Sequence, residues 1–186
     1  MNPYMILVAG PCAAGKTTFA QYASDALCIP LIRKDIIKKL LWDNEPHQEN
    51  GLHPNKPNPA IAHKITFYIA EQLMRTGSVF MFDSNFRKWV EATLNELAKR
   101  YKYSVITVLF DADDEILHKR YMERDHKADR HDALKIEGVY NDIEVFKNSI
   151  AEDRHFGIGD IIKVKTNDFD TVDYDDILRQ IRLYIK

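Results

Sequence analysis

The feature that most constrains this sequence is a short segment near its start, Gly10-Pro-Cys-Ala-Ala-Gly-Lys-Thr17. It fits the pattern G-x-x-x-x-G-K-[ST] in full, and a chance match in a chain of this composition is on the order of one in several hundred. An apolar run precedes it and a stretch with helical spacing follows it, as the pattern requires. Glycines there let backbone N–H groups turn towards phosphate oxygens, and the helix N-terminus adds its positive end. The segment therefore predicts a phosphate-binding loop.

The loop residues have distinct expected tasks. Lys16 is expected to hold the β- and γ-phosphates of a nucleotide, and the Thr17 hydroxyl to ligate Mg²⁺. Cys12 is interpreted as a small filler that contributes its N–H, since no second cysteine lies near it in the sequence; the alternative is a reactive thiolate at the helix N-terminus. The alternative interpretation of the whole segment 10–17 is an ordinary strand–helix turn in which Lys16 is only solvated. The residues that line the predicted nucleotide site are Gly10, Cys12, Ala13, Ala14, Gly15, Lys16 and Thr17.

Short apolar runs alternate with longer amphipathic stretches along the chain. The runs lack hydrophobic–polar alternation, which is typical of strands buried on both faces of a parallel sheet. The predicted strands are Tyr4–Ala9, Ile29–Ile32, Ser78–Asp83, Ser104–Phe110 and Ile161–Val164. Predicted helices cover 17–27, 35–42, 60–76, 89–101, 113–125, 136–150 and 174–185. The sequence therefore predicts an α/β fold, a three-layer αβα sandwich, in one domain over residues 1–186.

Composition excludes several classes of protein. Lys and Arg number 26 against 28 Asp and Glu, for a net charge of −2, which argues against a dedicated nucleic-acid binder. The apolar run at 4–9 is short and follows no basic segment, so we expect neither a signal peptide nor a membrane span. Two cysteines, Cys12 and Cys28, are too few for a disulfide framework, so we expect a cytoplasmic protein.

Two further classes of phosphate-loop protein are disfavoured. Guanine-specific switches carry an Asn/Thr-Lys-x-Asp element late in the chain, and the nearest candidate here, Thr166-Asn167-Asp168, lacks the lysine. Motor-type and AAA-type ATPases need a longer chain for their sensor and lid domains. A small transferase remains, which needs an acceptor base, a carboxylate beside the metal and a cationic lid.

The acceptor base is expected at the end of the second strand, where the sequence reads Arg-Lys-Asp35-Ile-Ile-Lys38. Asp35 and Lys38 share a helix face at this spacing. A carboxylate can take the proton of an attacking hydroxyl, and the lysine can hold the acceptor. The alternative for Asp35 is a helix N-cap, and the two roles are compatible.

The carboxylate beside the metal is expected at Asp83, where a hydrophobic strand ends before Ser84 and Asn85. There it can act on the Mg²⁺ shell or on the attacking group; the alternative is a turn residue that caps the next helix.

The lid is expected at 120–135. Arg120 and Arg124 lie on one helix face and Arg130 follows, which suits the charge of a phosphoryl group in transfer, whereas a solvated charged face is the alternative.

A proline-rich segment at 43–59 is predicted to be a long loop. Loops of this length inside compact domains are uncommon and usually serve binding. We interpret it as the element on the acceptor side that determines specificity.

These motifs, in this order and spacing, resemble small P-loop kinases of the nucleoside-monophosphate-kinase-like superfamily. The likeness is greatest to a predicted-kinase group related to polynucleotide 5′-kinase, chloramphenicol phosphotransferase and zeta-toxin-like kinases. It extends from Tyr4 to Ile185. The resemblance implies a P-loop NTPase fold with a five-stranded parallel sheet of order 2-3-1-4-5, and ATP and Mg²⁺ at the loop.

The resemblance also implies roles for single residues. Thr18 joins Lys16 and Thr17 in holding phosphate and metal, Lys38 replaces an arginine that often contacts the acceptor, and Asn85 belongs to the motif at the third strand. The adenine is implied to lie near the lid helix and Thr166–Asn167. Arg33 stands where shikimate-type relatives often carry a second carboxylate, so metal binding is expected from Thr17 and Asp83.

The sequence thus predicts an ATP-dependent kinase that acts on a hydroxyl or a phosphate of a small molecule, as a monomer or homodimer. A polynucleotide 5′-hydroxyl or nucleotide kinase is the less favoured alternative, because the overall charge offers no basic channel. A nucleotide-binding regulatory protein is the alternative from another class.

Overall fold

A parallel sheet of five strands organises the chain, in a computed structural model that describes residues 2–44, 59–135 and 138–185. The strands are β1 Tyr4–Ala9, β2 Leu31–Arg33, β3 Phe80–Asp83, β4 Ser104–Asp111 and β5 Asp160–Lys165. Their order is β2-β3-β1-β4-β5, which confirms the order that the resemblance implied. In register, Met5 of β1 lies opposite Phe80 of β3, and Tyr4 lies opposite Ser104 of β4.

Helices connect successive strands and cover both sides of the sheet. In the described ranges they are α1 Lys16–Leu27, α2 Lys34–Asp43, α3 Pro59–Arg75, α4 Lys88–Tyr101, α5 Asp114–Asp125, α6 Ile143–Ile150 and α7 Tyr174–Tyr184. Of these, α1, α5, α6 and α7 lie on one side of the sheet and α3 and α4 on the other. Short 3₁₀ turns lie at Asp132–Leu134, Asp153–His155 and Phe169–Thr171. None of the helices so described is long and apolar enough to cross a membrane.

Both faces of the sheet are apolar, and the central strand shows why. Ile6 and Val8 of β1 pack into one core with Phe19 of α1, while Met5 and Leu7 pack into a second core with residues of α3 and α4. A strand with a core on each side needs apolar residues at every position. The unbroken apolar run of β1 therefore produces the three-layer αβα sandwich that the sequence predicts.

The strand order places the phosphate loop at the centre of the sheet. β1 lies between β3 and β4, so the residues after its carboxyl end meet those after β3. Gly10 leaves β1 with φ +124°, and a Cβ on it would overlap the carbonyl oxygen of Phe110. Only glycine fits this close approach to β4.

The helix predicted over 136–150 is wrong in its first half. The chain turns at 138–142, where Gly138 has φ +68°, and α6 begins at Ile143. The Asp142 side chain caps it by accepting hydrogen bonds from the N–H groups of Glu144 and Val145.

Most of the predicted 43–59 loop lies outside the described residues; Asp43 ends α2 and Pro59 begins α3.

Gly77 and Gly159 have the same φ of +70°, so comparing them distinguishes the cost of backbone strain from the cost of steric overlap. A Cβ on Gly159 would overlap the Val105 carbonyl oxygen, whereas a Cβ on Gly77 would have nothing within 4 Å. We expect Gly77→Ala to lower the free energy of unfolding by about 1 kcal/mol. Gly159→Ala should cost a further 1–3 kcal/mol, roughly, because β4 or the entry to β5 must move. Urea unfolding of both variants measures this, and equal losses would contradict the packing described for Gly159.

Candidate active site

The lysine of the phosphate loop is buried. Lys16 is the first residue of α1, its side chain is 6% exposed, and its Nζ donates a hydrogen bond to the Pro11 carbonyl oxygen at 2.5 Å. Burial lowers the pKa of Lys16, and the negative charge of Asp83 acts in the opposite direction. A buried ammonium group with so few partners is suited to binding phosphate oxygens.

A threonine and an aspartate meet beside this lysine. The Thr17 hydroxyl donates a hydrogen bond to Asp83 Oδ2 at 2.8 Å, which joins α1 to the end of β3. Burial raises the pKa of Asp83, while Lys16 and the Thr17 hydrogen bond lower it. Asp83 does not cap the following helix, since α4 begins at Lys88 with Arg87 at its N-cap. The alternative of a capping role for Asp83 is therefore wrong.

The loop that carries Lys16 has an unusual backbone. Ala13 has a positive φ of 64°, a conformation that costs a non-glycine residue about 1 kcal/mol or more, and Gly15 has φ 90°. Ala14 is fully buried in the core, and burial raises the pKa of the Cys12 thiol, which disfavours a reactive thiolate. The expected N–H role of Cys12 stays a prediction. Thr18 is exposed on the first turn of α1.

Asp35 lies in the first turn of α2 and is exposed. The helix begins at Lys34 with Arg33 at its N-cap, so Asp35 is not the capping residue. The charge of Asp35 acts on both Lys16 and Asp83, which places it on the side of α2 that faces the loop. Lys38 lies one turn further along the same helix and is half-buried.

One lid arginine reaches the loop. Arg124, near the end of α5, has its Nε buried without a hydrogen-bond partner in the described chain. The charge of Arg124 acts on Cys12 of the loop. Burial is the main cause that lowers the pKa of Arg124, and the positive charge of Arg130 lowers it further. A buried guanidinium nitrogen without an acceptor, whose charge acts on the phosphate loop, indicates a place for an anionic ligand.

The other two lid arginines are held elsewhere. Arg120 donates to the carbonyl oxygens of Thr166 at 2.6 Å and Asn167 at 3.0 Å, and its guanidinium lies 3.7 Å from the centre of the Phe169 ring. Arg130 pairs with Asp125 at 3.4 Å inside the lid. Neither guanidinium is directed to the loop lysine in this structure.

The residues on the predicted adenine side mainly contact one another and the phosphate loop. The Asn167 amide donates to Asp113 Oδ2 at 2.7 Å and its oxygen accepts from the Asp113 N–H at 3.0 Å. Phe169 lies against the loop, where a Cβ on Gly15 would come within 2.7 Å of its ring. A nucleotide contact of Asn167 through its side chain would have to replace the pairing with Asp113.

The lid touches the acceptor side of the cleft. His131 Nδ1 accepts a hydrogen bond from the Ala133 N–H at 3.1 Å, which leaves its Nε2 to donate to Asp43 Oδ1 at 3.0 Å. Asp43 is the last residue of α2, so this bond joins the lid to the helix that carries Asp35. The segment predicted to be the lid therefore contacts the helix that carries Asp35.

Two buried titratable residues near the site were not predicted. His63 of α3 is 9% exposed and lies edge-on to Trp89; burial and the charge of Lys34 lower its pKa to about 4. Asp153 is 1% exposed, and burial raises its pKa to about 6 despite the cations nearby. Neither belongs to a local sequence pattern, so only the fold brings them to the cleft.

The donor set fits magnesium and nucleotide phosphates. Thr17 and Asp83 offer one hydroxyl and one carboxylate, hard oxygen ligands of the kind that Mg²⁺ uses together with water and phosphate. Within the described ranges, no group of three or more His, Cys, Asp and Glu side chains is placed to hold a metal alone. Lys16 and the free Nε of Arg124 fit the phosphates.

Solved structures share this fold. A protein from Chloroflexus aurantiacus described as a candidate kinase has a TM-score of 0.83 and 22% identity over 100% of both chains. A sugar kinase from Janibacter sp. HTCC2649 has a TM-score of 0.58 and 13% identity, over 100% of this chain and 96% of that one. A gluconokinase from Sinorhizobium meliloti has a TM-score of 0.54 and 12% identity, over 98% and 94%. At these identities the likeness shows the fold, that of a small P-loop kinase. No curated protein sequence matches the chain.

A family model described as an AAA domain, AAA_33, matches residues 5–140. The expectation that an AAA-type protein needs a longer chain is therefore wrong for this family, whose domain fits within a chain of 186 residues. The matched range includes the phosphate loop, Asp35, Asp83 and the lid arginines, and it covers more than half of the chain. The chain belongs to the AAA_33 family of AAA domains.

Proposed function

We propose that the protein is an ATP-dependent kinase that transfers the γ-phosphoryl group of Mg·ATP to a hydroxyl, or a phosphate, of a small molecule in the cytoplasm. One observation carries the proposal: the Thr17–Asp83 hydrogen bond lies beside the buried Lys16, in a cluster whose charges include Asp35. The fold shared with small P-loop kinases supports it. A small acceptor is favoured because the net charge of −2 gives no overall basic surface for a polynucleotide.

Binding of the nucleotide is assigned to the loop and to one lid arginine. Lys16 and the loop N–H groups would hold the β- and γ-phosphates, and Arg124 would donate its free Nε to the transferred group. Thr17 and Asp83 would hold Mg²⁺, which would supply positive charge to stabilise the leaving group. Arg120 supports this arrangement from outside by fixing the loop at 166–169 against Gly15.

Asp35 is assigned the acceptor proton. As the acceptor oxygen bonds to the γ-phosphorus, the bond from that phosphorus to the bridging oxygen breaks and ADP leaves. The acceptor proton passes to the Asp35 carboxylate, which is exposed and so returns it to water. Lys38, one turn along α2, would contact the acceptor, and Asn85 follows β3 at the same edge of the sheet.

The test is ADP release by the purified protein with Mg·ATP and a panel of acceptors. The panel holds nucleosides, nucleoside monophosphates, sugars, sugar acids, amphenicol and aminoglycoside alcohols, and 5′-hydroxyl oligonucleotides. We expect release that depends on one class of small molecule. Release with oligonucleotides alone, falling steeply with salt, would favour a polynucleotide kinase. Tight ATP binding with no acceptor in any class would favour a regulatory protein.

Asp35→Asn should lower kcat with the identified acceptor by about 10²–10⁴-fold, because the amide cannot take a proton. The KM for ATP should change little, since Asp35 contacts the acceptor. Steady-state ADP release measures both constants. Asp25→Asn, on the exposed face of α1, is the matched control and should behave as the wild type. Full turnover by Asp35→Asn would remove this residue from the mechanism.

Thr17→Val should raise the Mg²⁺ concentration for half-maximal activity by about tenfold or more, because it removes a ligand while it keeps the side-chain shape. The same substitution at Thr76, whose hydroxyl donates only to the local Leu73 carbonyl and contacts Ser78, is the control. Activity is measured as Mg²⁺ is titrated at fixed ATP. An unchanged Mg²⁺ requirement for Thr17→Val would mean that the metal is held elsewhere.

A further inference from the structure

An arginine and a buried aspartate form a pair on the acceptor side of the phosphate loop. Arg87 follows Asn85 by two residues, and its Nε lies 3.4 Å from Asp153 Oδ1. Its Nη1 donates a hydrogen bond to the Ser149 carbonyl oxygen at 2.6 Å, at the end of α6. Asp153 is almost completely buried, while 38% of the Arg87 side chain is exposed. Two of the three guanidinium nitrogens are therefore held by the protein.

Aromatic packing holds the two segments together. Phe86 stacks on Phe156, with ring centres 4.8 Å apart and an angle of 18° between the planes, and both rings are buried. Each ring lies within three residues of one member of the Arg87–Asp153 pair. The orientation of the guanidinium is thus determined by packing as well as by charge. Its third nitrogen, Nη2, makes no hydrogen bond or ion pair with the described residues.

The pair lies near the proposed chemistry. Arg33 of β2 lies opposite Asp83 of β3, so Lys34 and the segment that carries Arg87 leave neighbouring strands at the same edge of the sheet. The positive charges of Lys16 and Lys34 both act on Asp153. Lys34 precedes Asp35 in sequence, is half-buried, and forms no ion pair in the described ranges. The Arg120–Phe169 contact, in contrast, belongs to the nucleotide side.

The remaining cations already have assigned partners. Lys16 and Arg124 face the phosphates, Arg130 pairs with Asp125, and Arg120 binds carbonyl oxygens. On the proposed acceptor side, Lys34 and Arg87 join Lys38, and both Lys34 and Arg87 have a donor that no described residue uses. A guanidinium with one unused nitrogen, at the same edge of the sheet as an ammonium group, suits a carboxylate or a phosphate. Burial of Asp153 is a costly way to hold a half-exposed arginine, which argues for a binding role.

We propose that Arg87, positioned by Asp153, acts with Lys34 to bind an anionic group of the acceptor, so that the acceptor is an alcohol that carries a carboxylate or a phosphate. This inference rests on the proposed kinase function. It adds to that function the chemical class of the acceptor and two residues, Arg87 and Lys34, that would bind its anionic group. Asp153 is a positioning residue, since it acts through Arg87.

The binding test uses the full chain loaded with Mg²⁺ and a non-hydrolysable ATP analogue. Calorimetric titrations compare gluconate with glucitol, glycerate with glycerol, and glycerol 3-phosphate with glycerol, so the carboxylate and phosphate arms are separate. At least one anionic member should bind about 10- to 100-fold more tightly than its neutral partner, as charge-assisted hydrogen bonds imply. Equal or tighter binding of the neutral partners, or no binding by any anionic member, would overturn the inference.

Variants assign that preference to the pair. Arg87→Gln and Lys34→Gln should each raise the KM for the anionic acceptor by about tenfold or more, with the KM for ATP unchanged. Asp153→Asn should act in the same direction and Asp153→Glu should restore part of the loss, a pattern that a general loss of stability does not give. Arg100→Gln, which removes an exposed arginine paired with Glu96 on α4, is the control. An anionic preference that survives Arg87→Gln would overturn the assignment.

The outcomes separate this inference from the proposed function. Phosphoryl transfer to neutral alcohols, with Arg87→Gln as active as the wild type, would leave the kinase standing and remove the anionic acceptor. Absence of ATP binding by the wild-type protein would instead remove the kinase itself.

Discussion

The burial of the Lys16 ammonium group is the interaction on which the rest of the site depends. An ion withdrawn from water costs several kcal/mol, roughly, unless partners replace its hydration. Here the direct partner is the Pro11 carbonyl oxygen, supplemented by the charge of Asp83. The loop around it also places Ala13 in a left-handed conformation that side chains rarely adopt. Such a loop is poorly arranged for stability alone and well arranged for a ligand that brings negative charge.

The fold sorts the charges around this lysine into two sides. Toward α7, Arg120, Phe169 and Asn167 form a layer of mutual contacts over Gly15. Toward α2 lies Asp35, which is exposed to solvent. The His131–Asp43 hydrogen bond closes the lid across the second side. On the proposed function, the first side takes the nucleotide and the second side takes the acceptor, an arrangement that suits an enzyme with one common and one specific substrate.

Local pattern predicted the parts of this structure that local physics determines. The unbroken apolar run of β1 and the phosphate-loop motif gave the central strand, the three layers and the position of Lys16. The prediction of a helix over 136–150 was wrong because it relied on the spacing of apolar residues alone. Gly138 allows the chain to turn, and Asp142 caps the start of α6 at Ile143. Asp153 could not be predicted: its neighbour Arg87 is far away in sequence, and an Asp in a polar stretch gives no signal. Arg120 fits a lid by spacing alone, yet its guanidinium binds the carbonyls of 166–167.

The dependence of binding on the number of phosphates tests this description of the loop most directly. Calorimetry with Mg²⁺ and ATP, ADP or AMP compares ligands that share a base and a sugar. Because Lys16 and Arg124 are assigned to the β- and γ-phosphates, ATP and ADP should bind at least about 100-fold more tightly than AMP. Equal affinities for ATP and AMP, or no binding of ATP, would contradict the assignment of this loop to nucleotide phosphates.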